Sequence, residues 1–506
     1  MNRNLYTEIK NNSFPVGLTD IPVLDYDAFY ELVHDFLKDE AKHCLAYYCV
    51  ESKGLLKFYC IIADDINNNI YVFSHELKND SPVLNSLTRV CPQLHIFERE
   101  IHENYGVQFE GHPWLKPVRY PHDRSDKSLI MDNYPFYSIE SEELHEVGVG
   151  PVHAGVIEPG HFRFICNGEK VLHLEIQLGY QHRGVEKLFL EKKSALQRCI
   201  LAESIAGDTS VGHGLAHTQL IESLAGIEVS EARQIERCIA LEMERLAIAI
   251  GDTAALCGDI AYQLGQVACE ALRTTIINST QLWCGNRFGK GLVRPGGSNY
   301  PLTDKVAGEI MKVLAAGGKR FGEVTDRIYS LQSVLTRFED RGIVTRQQML
   351  DAGVVGMAAR SCGIERDIRK SHPFQYFRNY RVTPVTIPSG DVYARAMLRN
   401  LEARESIKII TDLIEIWRQK NKVADKPVYD YKLKPGSLAV SAVEGWRGEI
   451  CHLALTDDAG NIVHYKVNDP SIHNWMALAL AVRNQEISDF PVCNKSFNLS
   501  YCGNDL

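Results

Sequence analysis

Hydrophobic and polar positions divide this chain into stretches of different period. From Leu45 to Ser74, short runs of aromatic and β-branched residues are separated by turn signals at Ser52-Lys53-Gly54 and at Asn67–Asn69, a hairpin or meander pattern. A charged helical segment follows from about Leu94 to Asn104. From Lys116 to Glu146 the chain is rich in Pro, Asp, Ser and Tyr and keeps no period, as a linker does. Val147 to Gly179 returns to strand-like runs around Asn167-Gly168, a strong hairpin signal. From about Val185 to Arg273 the period becomes helical, most clearly at Glu231–Leu256, where apolar residues recur three and four apart. Further helices are expected at Asp304–Ala316, Phe321–Glu339 and Val392–Lys420. Residues 438–468 read as strands around a turn at Asp457–Gly460, and a final helix is expected from Ser471 to Arg483. No internal repeat is visible.

A length of 506 residues exceeds what one core fills, and two to four units are expected. Hydrophobic residues are 45% and charged residues 24%, the mix of an ordinary globular protein. A formal charge of -9 without a basic block argues against nucleic acid as a partner. The most apolar helical stretch, Ile239–Gly265, is broken by Glu242, Glu244, Arg245, Asp252 and Asp259, so no direct membrane span is expected. The opening residues carry no secretory pattern, and a cytoplasmic location is expected. None of the fourteen cysteines stands in a C-x-x-C pair, so they read as free thiols and not as metal ligands. Gly148-Val149-Gly150 opens no helix with a third glycine, so nicotinamide chemistry would belong elsewhere.

Several motifs carry more. In Glu98–Pro121, residues Glu98, Arg99, Glu100, Gly106, Phe109, Gly111, His112 and Pro113 resemble the signature of the small hydrophilic-arm subunit of complex I. Gly111-His112-Pro113 itself is best read as a rigid structural turn. Next, the VGVGPVHAGVIEPGHFRF stretch and His182-Arg183-Gly184-Val185-Glu186 resemble the start of the nickel–iron hydrogenase large subunit, as found in energy-converting hydrogenases and in complex I. The resemblance continues in Leu241–Ala247, in Arg294–Gly297, in the segment holding Arg360, Gly363, Asp367, Arg369, Lys370 and Pro373, in GDVYARAMLRNLEARES and in VEGWRGE.

The metal-binding motifs are where the chain departs. The family's R-x-C-G-x-C-x-x-x-H reads here with Ala206 and Thr209 in place of cysteine, keeping Gly207 and His213. Its D-P-C-x-x-C reads Asp469-Pro470-Ser471-Ile472-His473-Asn474, with Ser471 and Asn474 replacing the other pair. Nickel and iron in that centre are held by soft thiolate sulfur, so the resemblance implies a hydrogenase-type subunit without a metal. Complex I places a quinone-anchoring tyrosine where this chain has Gly207; His153 matches a histidine that assists the quinone there.

The expected architecture is α+β: a complex I-like α/β domain over 1–120, a linker over 121–146 and a hydrogenase-large-subunit-like domain over 147–506. The second would wrap a small β part around a long helical bundle. The resemblance implies Glu186, His213 and Asp208 as proton-handling residues. His153, Thr209, His217, Ser471 and His473 would line the former metal cavity, the default site for a quinone or other small electron acceptor. It implies no cofactor on this chain, iron–sulfur clusters on a small partner subunit, and docking on membrane pumping-arm subunits at the inner face of the cell membrane. The alternative is a non-catalytic coupling subunit of such a complex. A working nickel–iron hydrogenase is disfavoured by the ligand loss. Glu186 is expected to face the cavity, with Arg183 beside it.

Overall fold

The computed structural model describes residues 5–52, 54–80, 82–422 and 425–506; Lys53 of the first turn signal lies outside them. The N-terminal part runs β1 (Thr7–Ile9), β2 (Val16–Gly17), β3 (Val23–Leu24), α1 (Tyr26–Leu37), β4 (Lys42–Ser52), β5 (Leu55–Asp64), β6 (Asn69–Lys78), β7 (Val83–Asn85), α2 (His95–Tyr105) and β8 (Gln108–Glu110). Strands β4, β5 and β6 form the expected antiparallel meander, extended by β1 and by β3, which runs parallel to β6. These strands are apolar on both faces because both faces are covered. Leu56, Phe58, Cys60 and Ile62 pack with α1 and α2, while Tyr59, Ile61 and Ala63 pack on the C-terminal sheet.

The rest of the chain runs β9 (His145–Val149), β10 (His161–Asn167), β11 (Lys170–Gln177), α3 (Val185–Glu191), α4 (Ala195–Ala202), α5 (Ser210–Ala225), α6 (Glu231–Asp259), α7 (Gln263–Cys284), α8 (Asp304–Ile328), α9 (Gln332–Phe338), α10 (Arg346–Asp351), α11 (Gly356–Arg360), α12 (Ile368–Ser371), α13 (Val392–Arg418), β12 (Ser437–Glu444), β13 (Glu449–Thr456), β14 (Ile462–Asn468), α14 (Pro470–Val482), α15 (Phe490–Phe497) and α16 (Tyr501–Asp505). The long helices α6, α7, α8 and α13 form the main core, with β9–β11 at one end. One helix was expected to stop near Ala316; α8 instead runs unbroken through Gly317 and Gly318. Gly318 serves packing there. A Cβ on Gly318 would stand 3.2 Å from Ile407 of α13, so glycine lets the two helices close.

A second sheet, β14-β13-β12-β2, mates with the N-terminal meander through Leu438, Val440, Cys451 and Leu453. Polar ties cross the same seam. His43 meets Glu449 at 2.7 Å, Arg366 meets Asp65 at 3.2 Å, and Asn468 donates to the Leu45 carbonyl at 2.7 Å. The Glu98-Arg99-Glu100 motif is structural. Glu98 accepts hydrogen bonds from the Leu87 and Thr88 amides and both the Ser86 and Thr88 hydroxyls, and Glu100 pairs with Arg119 at 2.8 Å. All fourteen cysteines are free thiols, thirteen of them buried.

Candidate functional site

Helix α5 begins where the first cysteine pair would stand. Its N-cap, Thr209, makes no capping bond to the helix. Glu244 of α6 does that work, accepting from the Val211 amide at 2.7 Å and the Gly212 amide at 3.1 Å. Burial pushes the Glu244 carboxyl up to about 8, against the pull of those two donors. Gly212 lets α5 lie close to β13, since a Cβ there would sit 2.7 Å from Ile450. One helical turn apart, His213 and His217 then face the sheet.

The two histidines enter a buried hydrogen-bonded chain. Asp469, the N-cap of α14, accepts from the Ser471 amide through Oδ1 at 2.8 Å and meets His213 Nε2 through Oδ2 at 3.1 Å. His213 Nδ1 meets His452 Nε2 at 3.0 Å. His452 Nδ1 and His217 Nδ1 both meet the Tyr465 hydroxyl at 2.8 Å. Asp469, His213, His217, His452 and Tyr465 are all at most 1% exposed. Burial works to raise the Asp469 carboxyl, but its His213 hydrogen bond and the Arg447 charge outweigh it and hold it below the usual range. Burial drives His217 down to about 3 and His452 well below the usual imidazole range. With Asp469 ionised, the chain is satisfied when every donor points toward it; reversing every donor puts a proton on Asp469 Oδ2 and takes one from His217 Nδ1. Switching between the two arrangements carries one proton from end to end.

Arg447, in the turn between β12 and β13, closes the space beside this chain. Its guanidinium donates to Asp208 Oδ1 at 2.7 Å, to Asp208 Oδ2 at 2.8 Å and to Thr209 Oγ1 at 3.2 Å, and its Nε donates to the Asn498 carbonyl at 2.6 Å. Trp446 stacks on it at 3.9 Å and donates its indole N–H to the Asp208 carbonyl at 3.0 Å. Burial would raise the Asp208 carboxyl; the guanidinium holds it below the ordinary value instead.

The four cysteine-replacing positions do not fit a nickel–iron centre. Ala206 has no ligand atom. The Thr209 oxygen is shared by Asp208 and Arg447. Ser471 Oγ accepts from the Ser500 amide at 2.8 Å, and the Asn474 amide is spent on both backbone groups of Val355, at 3.0 and 3.2 Å. Among the described residues, no three His, Cys, Asp or Glu side chains are arranged to hold a metal.

Of the residues expected to meet, Asp208, Thr209, His213, His217 and Ser471 do converge. Three others lie elsewhere. Glu186 takes the Val467 amide at 2.9 Å and Lys466 at 3.0 Å, and lines an open cleft of about 910 Å³ with Glu100, Arg119 and His182. It therefore does not face the former metal space. Arg183 is not its partner, because it donates to the Ser204 and Ile205 carbonyls. His473 sits on another face of α14, against Phe97, where burial lowers it to about 4. His153 binds the Gly160 carbonyl at 2.8 Å inside the β9–β10 loop. Among the described residues, clefts of about 910, 840 and 810 Å³ are lined by other residues, and the cavity that Asp208 lines with Glu244 measures only about 20 Å³.

Arg447, His452, Tyr465, Asp469 and Glu244 were not singled out from sequence. Arg447 and Asp469 stood inside recognised motifs. His452 and Tyr465 look like ordinary strand residues until β13 and β14 bring them together.

Two family models match the chain: the 30 Kd subunit of respiratory-chain NADH dehydrogenase over residues 25–132, and the 49 Kd subunit over residues 259–438. The chain belongs to the complex I and hydrogenase large-subunit superfamily. This superfamily member is 24% identical to hydrogenase-4 component G of Escherichia coli over 482 residues, covering 92% of this chain and 81% of that protein. It is 24% identical to formate hydrogenlyase subunit 5 of the same organism over 494 residues, covering 93% and 84%. Its fold matches a chain in the structure of the membrane-bound sulfane sulfur reductase, an archaeal respiratory membrane complex. That match has a TM-score of 0.67 and 21% identity over 73% of this chain and all of the other. No helix among the described residues is long and apolar enough to cross a membrane.

Proposed function

We propose that this chain is a coupling subunit of a membrane-associated respiratory complex of the complex I and energy-converting hydrogenase kind. In this reading it carries no metal of its own. It docks on an iron–sulfur subunit and, with pumping-arm subunits, sits peripherally at the inner face of the membrane. The observation that carries it is the closed space: Arg447, Asp208 and Thr209 fill the region beside His213, and the neighbouring polar groups form the Asp469–His213–His452–Tyr465–His217 chain. A substrate cavity needs open volume, whereas a relay needs continuous hydrogen bonds of ordinary length. The second arrangement is the one these residues support. Half-exposed Asp208 and exposed Gly207 leave a rim outside the Arg447 contact where a cluster-bearing partner would dock. A quinone or other acceptor would then bind against that rim, between subunits, and not inside this chain.

The test is Tyr465→Phe in the assembled complex, with electron transfer and ion movement measured separately. Phenylalanine keeps the stacking on Phe189 and removes the hydroxyl that joins His452 to His217. The expected result is electron transfer with ion movement lost or strongly reduced. A variant complex that assembles and pumps at the wild-type ratio overturns the relay reading.

A further inference from the structure

A cleft of about 810 Å³ opens on the other side of α14 from the former metal site. Ile472, Trp475, Met476 and Ala479 form its floor, the 3–4–7 spacing of a single helix face. Leu174, Ile176 and Leu178, from β11 and the residue after it, supply an apolar side wall. The opposite wall is the Gly111-His112-Pro113 turn region, where Trp114 stacks on His95 at 4.9 Å and under the Arg99 guanidinium at 5.2 Å. Tight interiors leave few voids larger than a water, and clefts of roughly 300–1,000 Å³ are the size range of small-molecule sites.

The charges around the cleft are unequal. Glu175 is the acid on its lining, and it is already committed to Lys116 at 2.5 Å, to the Tyr134 hydroxyl at 3.2 Å and to the Tyr137 amide at 2.7 Å. Arg99 uses Nε and Nη2 on the Lys116 and Pro117 carbonyls and has no carboxylate partner among the described residues. Arg483, exposed at the end of α14, makes no ion pair among the described residues. One guanidinium thus lies on the Trp114 wall and another at the end of the α14 floor, neither in an ion pair among the described residues.

We propose that this cleft is a binding site for a small organic anion with a flat, apolar ring system, such as an aromatic carboxylate, sulfonate or phosphate ester. The rings lie on Trp475, Met476 and Ala479, and the acidic group meets Arg483 and the free edge of Arg99. Planar aromatic walls favour ring stacking, and guanidinium groups bind carboxylate, sulfonate or phosphate through charge-assisted hydrogen bonds. The site is separate from the relay, and it stands or falls independently of the coupling function.

The experiment is a fluorescence titration of the full-length chain with 8-anilinonaphthalene-1-sulfonate, alongside neutral N-phenyl-1-naphthylamine. One saturable site per chain is expected for the sulfonate. Ala479→Trp, which fills the floor, should abolish that site for both compounds. Arg483→Gln lies on the exposed rim and leaves the fold alone. It should weaken the sulfonate about tenfold and the neutral compound less than about twofold, as loss of one charge-assisted contact predicts. Arg483→Gln affecting both compounds equally, or neither, overturns the proposal whether or not Ala479→Trp folds. So does unchanged binding to a folded Ala479→Trp. Repeating the titration on the assembled complex adds a third arm: loss of the site there means that a partner's polypeptide fills the cleft, which also overturns it.

Discussion

Arg447 holds Asp208 through both terminal guanidinium nitrogens, at 2.7 and 2.8 Å, and the same group reaches Thr209 at 3.2 Å. Arg447→Lys keeps the charge but loses the two-pronged geometry and the bond to Asn498. Because the Asp208 side chain is 34% exposed, solvent offsets part of the loss. The expected destabilisation is about 1–3 kcal/mol, below that of a fully buried broken pair. Urea denaturation of the two proteins measures it; no change would mean that the arginine does not brace the site.

The purified protein is expected to contain no nickel, because Ala206, Thr209, Ser471 and Asn474 supply no thiolate and three of them are bonded internally. Elemental analysis decides this. Near one nickel per chain, together with hydrogen-dependent dye reduction, would refute the ligand argument. As a structural counterpart, Ser471→Ala should cost about 1–3 kcal/mol by leaving the buried Ser500 amide without its acceptor.

Glu244 makes stability depend on pH in a stated direction. Its folded carboxyl titrates at about 8 against an ordinary 4.5, so folding favours the protonated form. That contribution is fully present below the ordinary value and is lost as pH rises through about 8. Melting temperatures measured from about pH 5 to about pH 9 should fall along that range, and less steeply in Glu244→Gln. Parallel curves for the two proteins would contradict the assignment.

His217 acts in the opposite sense. Its folded pKa is depressed to about 3 from 6.5, so the folded state requires the neutral ring. The stability this gives is complete above the ordinary value and drains away as pH falls from there toward about 3. His217→Gln should unfold at lower pH than the wild type, relative to each protein's own stability at neutral pH. Identical normalised acid transitions would show that His217 does not limit acid tolerance.

Much of the architecture was readable because it rests on period and punctuation. The meander around Leu45–Ser74 and the hairpin at Asn167-Gly168 both appear where runs and turn residues placed them. Local rules failed where a distant neighbour set the outcome: the helix expected over Asp304–Ala316 runs on through Gly318, which stands against Ile407 of α13. The site divides the same way. Motif spacing brought Thr209, His213 and Ser471 together, since α5 and α14 both start at the same place. It misdirected Glu186, because the competing attraction of Lys466 lies 280 residues away and leaves no local trace. It also could not foresee that an arginine from a third segment would occupy the space vacated by the metal ligands.

The two-residue strand β2 has a consequence for how the chain can be divided. Val16 and Gly17 pair with Leu438 and Ser437, and Asn12 just before them binds the Ala442 backbone in both directions and the His372 carbonyl. The beginning of the polypeptide therefore supplies the border strand of a sheet built at its far end. Cutting the backbone within residues 121–146 would not release two free lobes. The shorter fragment would stay attached by donating that border strand. The longer one, made alone, would expose the unpaired edge of β12 and a bare apolar sheet face, the features that make sheets aggregate. Soluble recovery of residues 147–506 is thus expected to require co-expression of residues 1–120.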